Sequence, residues 1–342
     1  MISVGIIGGS GYTGKYIVKF CNEHPNVSEF YIYANNSAGQ SIHNVFPDLV
    51  GEVENQTIKS VTTLDLSHDV YFFALPHGES FKYAPMLLKA NKKVIDLGAD
   101  FRLDNADSFQ KTYGLVHTSP EYLNSKIYGL AEIAENYNQT NLIANPGCYP
   151  TAALLSSIPI VKNLGENIQS ISTVSYSGLS GAGKKASTDL LFTENYNSVK
   201  AYNVGSHRHE VEIEQELKKY NSKVEYSLTT HLLPVFSGIY STTIIHTDKA
   251  FHQDDIDELF SKSYNKKSFI RLRQTPPELK WVIGTNYCDI NVTCAKNKII
   301  VTAAIDNLIK GASGQAMQNM NKLYGWDESL GIKSNKEQLT NA

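Results

Sequence analysis

The stretch SVGIIGGSGYTG, residues 3–14, decides the fold. SVGIIG is β-branched and apolar, the composition of a strand. It runs into GGSGYTG, Gly8 to Gly14, and then into the helical KYIVKFCNEH. Gly9, Gly11 and Gly14 fit G-x-G-x-x-G, while Gly8, Gly11 and Gly14 fit the looser G-x-x-G-x-x-G. Glycine permits a tight turn, and the missing side chains let a pyrophosphate approach the helix N-terminus. Alone the pattern is weak. A preceding strand and a following helix are the context that gives it meaning. Dinucleotide binding by Gly8, Gly9, Ser10, Gly11, Tyr12, Thr13 and Gly14 is the expectation; glycines serving helix–sheet packing alone are the alternative.

Outward from this turn come the apolar segments EFYIYA (29–34), DVYFFAL (69–75), KKVIDLG (92–98) and NLIA (141–144), with a helical SFKYAPMLLKA between. Strands apolar on both faces and separated by helices predict a parallel sheet covered on both sides. After Cys148 longer, more alternating segments appear: QSISTVSYS, VEYSLTTHLLPVFS, GIYSTTIIHT and CDINVTCAKNKIIVTAAID. These predict a second α/β domain with an antiparallel or mixed sheet and helices on one side. GASGQAMQNMNKLYG reads as a helix, and the polar tail from about Ile332 as a frayed end.

The chain has 342 residues, 42% hydrophobic and 19% charged, with net charge −3. This is ordinary globular composition with room for two domains. No basic stripe favours nucleic acid or an anionic membrane. No apolar run is long enough to span a bilayer. No charged n-region with a cleavage site opens the chain, so the four cysteines are expected to be reduced thiols in the cytoplasm.

NPGCYPT, residues 145–151, puts Cys148 at a second strand–turn–helix junction, before the apolar AALLSSIPI. A thiol at a helix N-terminus feels the positive end of the macrodipole, which favours the thiolate. Cys21, Cys288 and Cys294 sit in apolar patterns and read as core. A nucleophilic cysteine needs a proton partner. GSHRHEVEIEQELKK, residues 205–219, offers His207 and His209 before a helix expected to begin near Glu210, with Glu212 placed to orient His209. His207 and His209 with a cysteine would also suit zinc, but a fourth ligand is missing, so no metal is expected. His77, at the end of a strand, is placed toward the cofactor cleft.

Two further segments bear on ligands. GLSGAGKK, Gly178 to Lys185, nearly matches a Walker A loop but ends in Lys185 rather than the Ser or Thr that would hold Mg²⁺. An NTPase is therefore rejected, though successive glycine N–H groups with Lys184 and Lys185 suit an anion. YANNSAG, residues 33–39, follows the second strand with no carboxylate to repel a 2′-phosphate and no arginine to pair with one. Asn35, Asn36 and Ser37 offer neutral donors, a modest lean toward NADP.

Taken together, these residues resemble the N-acetyl-gamma-glutamyl-phosphate reductase family, within the aspartate-semialdehyde dehydrogenase superfamily. GGSGYTG, ALPHGES, DLGADFRL, YGLAEI, NPGCYPT, SGLSGAGKK, SHRHEVEI, HLLPVFSGIY and IDNLIKGASGQAMQN follow in family order, nearly end to end. The resemblance implies a Rossmann-type domain over 1–147 and 312–342, with the C-terminal helix returning to it, and a catalytic and oligomerisation domain over 148–311. It implies Cys148 as nucleophile, the histidines as acid/base and Gly181 among the NADPH contacts; Arg208, Lys184 and Lys185 are candidates for the acyl phosphate by charge alone. It also implies a homodimer or homotetramer. Ser237 stands where the family commonly has arginine, which leaves N-succinyl-glutamyl, aminoadipyl and aspartyl phosphates as alternative substrates. A dinucleotide sensor without catalysis is the alternative of a different class.

Overall fold

The structure is a computed structural model and describes residues 1–184 and 187–332. The chain divides into two compact units, residues 1–146 with the segment from Ala312, and residues 147–311. The expected frayed end beyond Ile332 lies outside the described residues.

The first unit is built on seven strands: β1 (Ile2–Ile7), β2 (Val27–Ala34), β3 (Lys59–Ser60), β4 (Val70–Phe73), β5 (Lys93–Asp96), β6 (Ile127–Tyr128) and β7 (Leu142–Ala144). Their spatial order is β3-β2-β1-β4-β5-β7-β6, and every pairing is parallel. Val4, Ile6, Ile7 and all of Val70–Phe73 are buried, as strands covered on both faces must be. Strand order reverses between β1 and β4, the place where open α/β sheets bind ligands. The glycine turn sits there, between β1 and the helix Tyr12–Glu23. SFKYAPMLLKA is a single 3₁₀ turn, Ser80–Lys82, followed by the short helix Ala84–Lys89. The C-terminal helix, Gly314–Leu323, follows a π turn over Ile309–Ser313.

The second unit holds β8 (Ile168–Ser177), β9 (Lys200–Tyr202), β10 (Tyr226–Leu232), β11 (Ile239–Thr247), β12 (Ile270–Leu272), β13 (Cys288–Cys294) and β14 (Lys298–Ile305). Their order is β12-β13-β14-β11-β8-β10-β9. The sheet is mixed: β10–β8 and β12–β13 are parallel, and the other pairs antiparallel. Alternate residues of β8 and β11 are buried. Several of these buried residues are hydroxyl residues that satisfy one another, Thr173 with Thr243 at 2.9 Å and Ser175 with Ser241 at 2.7 Å. The helix Cys148–Leu164 is the centre of this unit, with thirteen of its seventeen residues buried. That explains why its sequence is apolar nearly all round.

Three sequence expectations need correction. VEYSLTTHLLPVFS is not one strand: β10 stops at Leu232, and Leu233 to Phe236 turn away so that Val235 and Phe236 accept bonds from Leu179 and Ser180. CDINVTCAKNKIIVTAAID is two strands joined at Ala295–Asn297, where Lys296 takes a positive φ. Cys294 is half-buried at the end of β13 rather than in the core, unlike Cys21 and Cys288.

Candidate active site

At the glycine turn, the individual glycines have different jobs. Gly8 has φ +85°, and a Cβ on it would lie 2.2 Å from the Ala74 carbonyl oxygen. A Cβ on Gly9 would meet Ile32, and one on Gly14 the backbone of Gly9, both at 2.5 Å. These three are required by the fold itself. Gly11 is not: its Cβ would have only Gly8 O, at 3.6 Å. Gly11 is also the helix N-cap, with a bare helix N-terminus behind it and no side-chain cap bond. Packing accounts for Gly8, Gly9 and Gly14 but not for Gly11, where the space could admit a phosphate. Ser10, Tyr12 and Thr13 are half-buried around the turn. Asn35 is exposed and Ser37 half-buried just past β2. The residues present therefore fit a dinucleotide.

ALPHGES and DLGADFRL meet in a buried acid pair in this unit. Asp100 accepts from the Gly78 and Ser80 amides at 2.7 and 2.9 Å, and Asp96 accepts from the Ser80 hydroxyl at 2.7 Å. Burial and the neighbouring Asp100 carboxylate push the Asp96 acid upward. Arg102 Nε donates to the Asn145 carbonyl at 2.8 Å, and Asn319 Nδ2 to the Asn145 side chain at 2.9 Å. The turn before the cysteine is thus held from within the first unit. His77 rests against Tyr113, ring centroids 5.1 Å apart.

In the second unit Cys148 is half-buried and is the first residue of its helix, with Gly147 as N-cap. It lines a cavity of about 580 Å³ together with Tyr149, Tyr202, His207, Arg208 and His209. Gly178, Gly181 and Ala182 form part of another wall. The histidine helix begins at Arg208, not near Glu210. The reason is a cap: His207 is the N-cap, and its Nδ1 accepts from the His209 amide at 3.2 Å. An accepting Nδ1 fixes His207 as the neutral Nε2–H tautomer. Burial, aided by the Arg208 charge, lowers its pKa to about 4. His209 is buried within the same cluster, 4.9 Å from His207 by ring centroids.

Glu212 is fully buried, and its Oε1 accepts from the Gly147 amide at 2.9 Å. This carboxylate therefore grips the backbone beside Cys148, a contact that the spacing from His209 did not suggest. Tyr149 and Tyr202 share a hydroxyl–hydroxyl bond of 2.8 Å, and burial holds the Tyr202 phenol up at about 12. Neither tyrosine was expected. Tyr149 adjoins the cysteine in sequence, but nothing in the sequence around Tyr202 marks it.

The structure thus brings Cys148, His207, His209, Arg208 and Gly181 to one cavity. Lys184 is exposed and stands outside the set lining it. Lys185 lies outside the described residues. Among the described residues no group of three or more His, Cys, Asp or Glu side chains is placed to hold a metal ion. No described helix is long and apolar enough to cross a membrane.

Comparison with known proteins supplies the class. Residues 3–140 match the family described as semialdehyde dehydrogenase, NAD binding domain. Residues 148–307 match semialdehyde dehydrogenase, dimerisation domain. Solved structures share the fold: aspartate semialdehyde dehydrogenase II from Vibrio cholerae, complexed with ASA, superposes with a TM-score of 0.74 at 19% identity, covering 95% of this chain and 98% of that one. The Candida albicans aspartate semialdehyde dehydrogenase with NADP gives 0.63 at 14% identity, over 95% and 99%.

Much nearer in sequence are N-acetyl-gamma-glutamyl-phosphate reductases. The Clostridium novyi (strain NT) protein is 39% identical over 338 residues, 97% of this chain and 98% of its own length. The Staphylococcus saprophyticus protein is 39% identical over the same span and coverage. The chain belongs to the N-acetyl-gamma-glutamyl-phosphate reductase family, and it is an oxidoreductase with a nicotinamide-dinucleotide domain.

Proposed function

We propose that the chain reduces N-acetyl-gamma-glutamyl phosphate to N-acetylglutamate semialdehyde with NADPH, in arginine biosynthesis, through a thioester on Cys148. The observation that carries this reading is the single cavity that gathers a helix-N-terminal thiol, two histidines and an arginine. Cys148 Sγ attacks the acyl carbon, and Arg208 offsets the charge of the departing phosphate. The bound dinucleotide supplies the hydride that takes the thioester to the aldehyde level. His209 takes the thiol proton and returns it to the sulfur as the thiohemiacetal oxyanion collapses to the aldehyde and the C–S bond breaks. His207 stays neutral and holds the helix start that presents His209 and Arg208. Glu212 fixes Gly147 and so the aim of the sulfur.

The first unit would hold the dinucleotide through the Gly8–Gly14 turn and the residues after β2. The absence of a carboxylate from Asn35 to Ser37 favours NADPH. Two neutral hydrogen bonds to a 2′-phosphate correspond to a preference of about ten- to a hundredfold over NADH. A homo-oligomer forms through the second unit, where Val174, Tyr176, Tyr240 and Ile244 are only half-buried on the face opposite the buried hydroxyls.

The test is the reverse reaction: phosphate-dependent reduction of NADP, and of NAD beside it, with N-acetylglutamate semialdehyde. Turnover that needs phosphate and prefers NADP is expected. Turnover only with aspartate semialdehyde, or dinucleotide binding without any turnover, would overturn the reading.

A further inference from the structure

We propose that Asn307, through Ser180, is the positioning residue that sets the backbone wall of the Cys148 cavity and with it the fit of the acyl substrate. The proposal rests on the reductase reading above. It begins with what the wall is made of. Gly178, Gly181 and Ala182 line the cavity and carry no side chain beyond a methyl. The shape presented to a substrate there is the shape of the main chain. A backbone surface cannot adjust by changing rotamers, so its place is decided by whatever anchors it.

The anchors lie behind the wall. Gly178, Leu179 and Ser180 amides donate to Gly238, Val235 and Phe236 carbonyls, each at 2.9 Å. The approach is so close that a Cβ on Gly178 would sit 2.7 Å from the Phe236 oxygen. One side chain ties both strips together. Asn307 is buried, its Oδ1 accepts from the Gly238 amide at 2.6 Å, and its Nδ2 donates to Ser180 Oγ at 3.1 Å. Gly238 has φ +109°, and a Cβ there would strike Ile283 and Leu279 at 2.7 Å, so this strip is itself immobile. Ser180 is buried and stands outside the cavity-lining set.

The neighbouring Asp306 secures the other end of the same segment. Its carboxylate accepts from the Leu308 amide at 2.8 Å and the Gly284 amide at 2.9 Å. That holds the turn leading to Gly311, where a Cβ would come within 2.8 Å of the Cys148 Cβ. One short segment, Asp306–Gly311, therefore fixes both the backbone wall and the floor under the nucleophile. Asn307 controls the wall alone, so loosening it should alter substrate fit while leaving the thiol as it was.

The experiment uses the full chain in the reverse reaction, with Ser180→Ala, Asn307→Ala and the double variant. Ser180→Ala removes the hydroxyl and Asn307→Ala removes the amide; a carboxylate at 307 would not serve, since the Ser180 hydroxyl could donate to it. Ser180→Ala should raise KM for N-acetylglutamate semialdehyde about three- to tenfold, the effect of one neutral hydrogen bond, and Asn307→Ala, which also leaves the Gly238 amide without that acceptor, at least as much. The kcat should stay within about twofold, because the bond acts on fit and not on the reacting groups. The double variant should be no worse than Asn307→Ala alone. Alkylation of Cys148 by iodoacetamide should proceed at the wild-type rate in all three. If Asn307→Ala does not fold, Ser180→Ala decides by itself. An unchanged KM in folded Ser180→Ala would overturn the proposal. So would a fall in kcat and alkylation rate alongside the rise in KM, since that marks a general loosening. An inactive wild type would instead strike the reductase reading, and the same comparison would then be run on aspartate and N-succinylglutamate semialdehydes.

Discussion

At Gly8–Gly14 the chain leaves β1 and enters a helix capped by Gly11 with Tyr12 as its first residue; at Asn145–Thr151 it leaves β7 and enters a helix capped by Gly147 with the thiol of Cys148 as its first residue. Both junctions lie at the C-terminal ends of parallel strands, and both expose the positive end of a helix. The first has its crowded points filled by glycine and keeps one position, Gly11, open. The second is gripped by Arg102 on the Asn145 carbonyl, Asn319 on the Asn145 side chain and Glu212 on the Gly147 amide. The contrast matches the roles proposed for the two helix ends. An empty N-terminus suits a ligand that brings its own charge. An occupied and immobilised one suits a group that must itself become charged and attack from a fixed place.

The sharpest way to break this contrast is Cys148→Ser. Turnover should fall by at least about a thousandfold, because a hydroxyl ionises far less readily than a thiol. NADPH affinity and the thermal midpoint should hold. Substantial turnover by the purified variant would end the assignment of the second junction. Next in size is the histidine pair. His209→Ala should lower kcat about a hundredfold, the scale of a lost acid/base. His207→Asn, which retains a capping acceptor, should cost far less; the reverse order would mean that the capping histidine does the chemistry.

Gly11→Ala tests the first junction. The methyl has space in the folded protein, so stability should be kept, while dinucleotide affinity falls about tenfold or more, as when a charged hydrogen bond is lost. Unchanged affinity, measured by calorimetry, would leave packing as the whole reason for the glycines.

The last effect concerns pH and acts on stability rather than on activity. His207 has its folded pKa lowered from 6.5 to about 4. As pH falls, the unfolded chain takes up that proton first, so the contribution is intact above pH 6.5 and lost on the way down to about 4. The loss should be about 3 kcal/mol. Urea midpoints followed across that range should show it in the wild type and show a flatter profile in His207→Asn. Identical profiles would mean that His207 is not buried in its neutral form.

The parallel sheet was legible because its strands are apolar on both faces, and the two junctions because glycine, proline and cysteine are costly in regular structure. What could not be read depends on contacts far apart in sequence. β10 looks continuous to Ser237, but it ends at Leu232, and after Leu233, whose amide still donates to Ser177, Val235 and Phe236 accept from Leu179 and Ser180. The helix start moved to Arg208 because a histidine, an unusual cap, took the N-cap position. Nothing local to Glu212 signals that it accepts from the Gly147 amide, 65 positions away. Tyr202 reaches the cavity from a three-residue edge strand with no local signal.

The central claim is that Cys148 carries the acyl group. The direct test is to mix the protein with N-acetyl-gamma-glutamyl phosphate in the absence of any dinucleotide, quench in acid, and map the peptides by mass. Stoichiometric phosphate release with the N-acetylglutamyl mass on the peptide containing Cys148, lost on adding NADPH, is the predicted result. No adduct, or an adduct on Cys21, Cys288 or Cys294 instead, would contradict it.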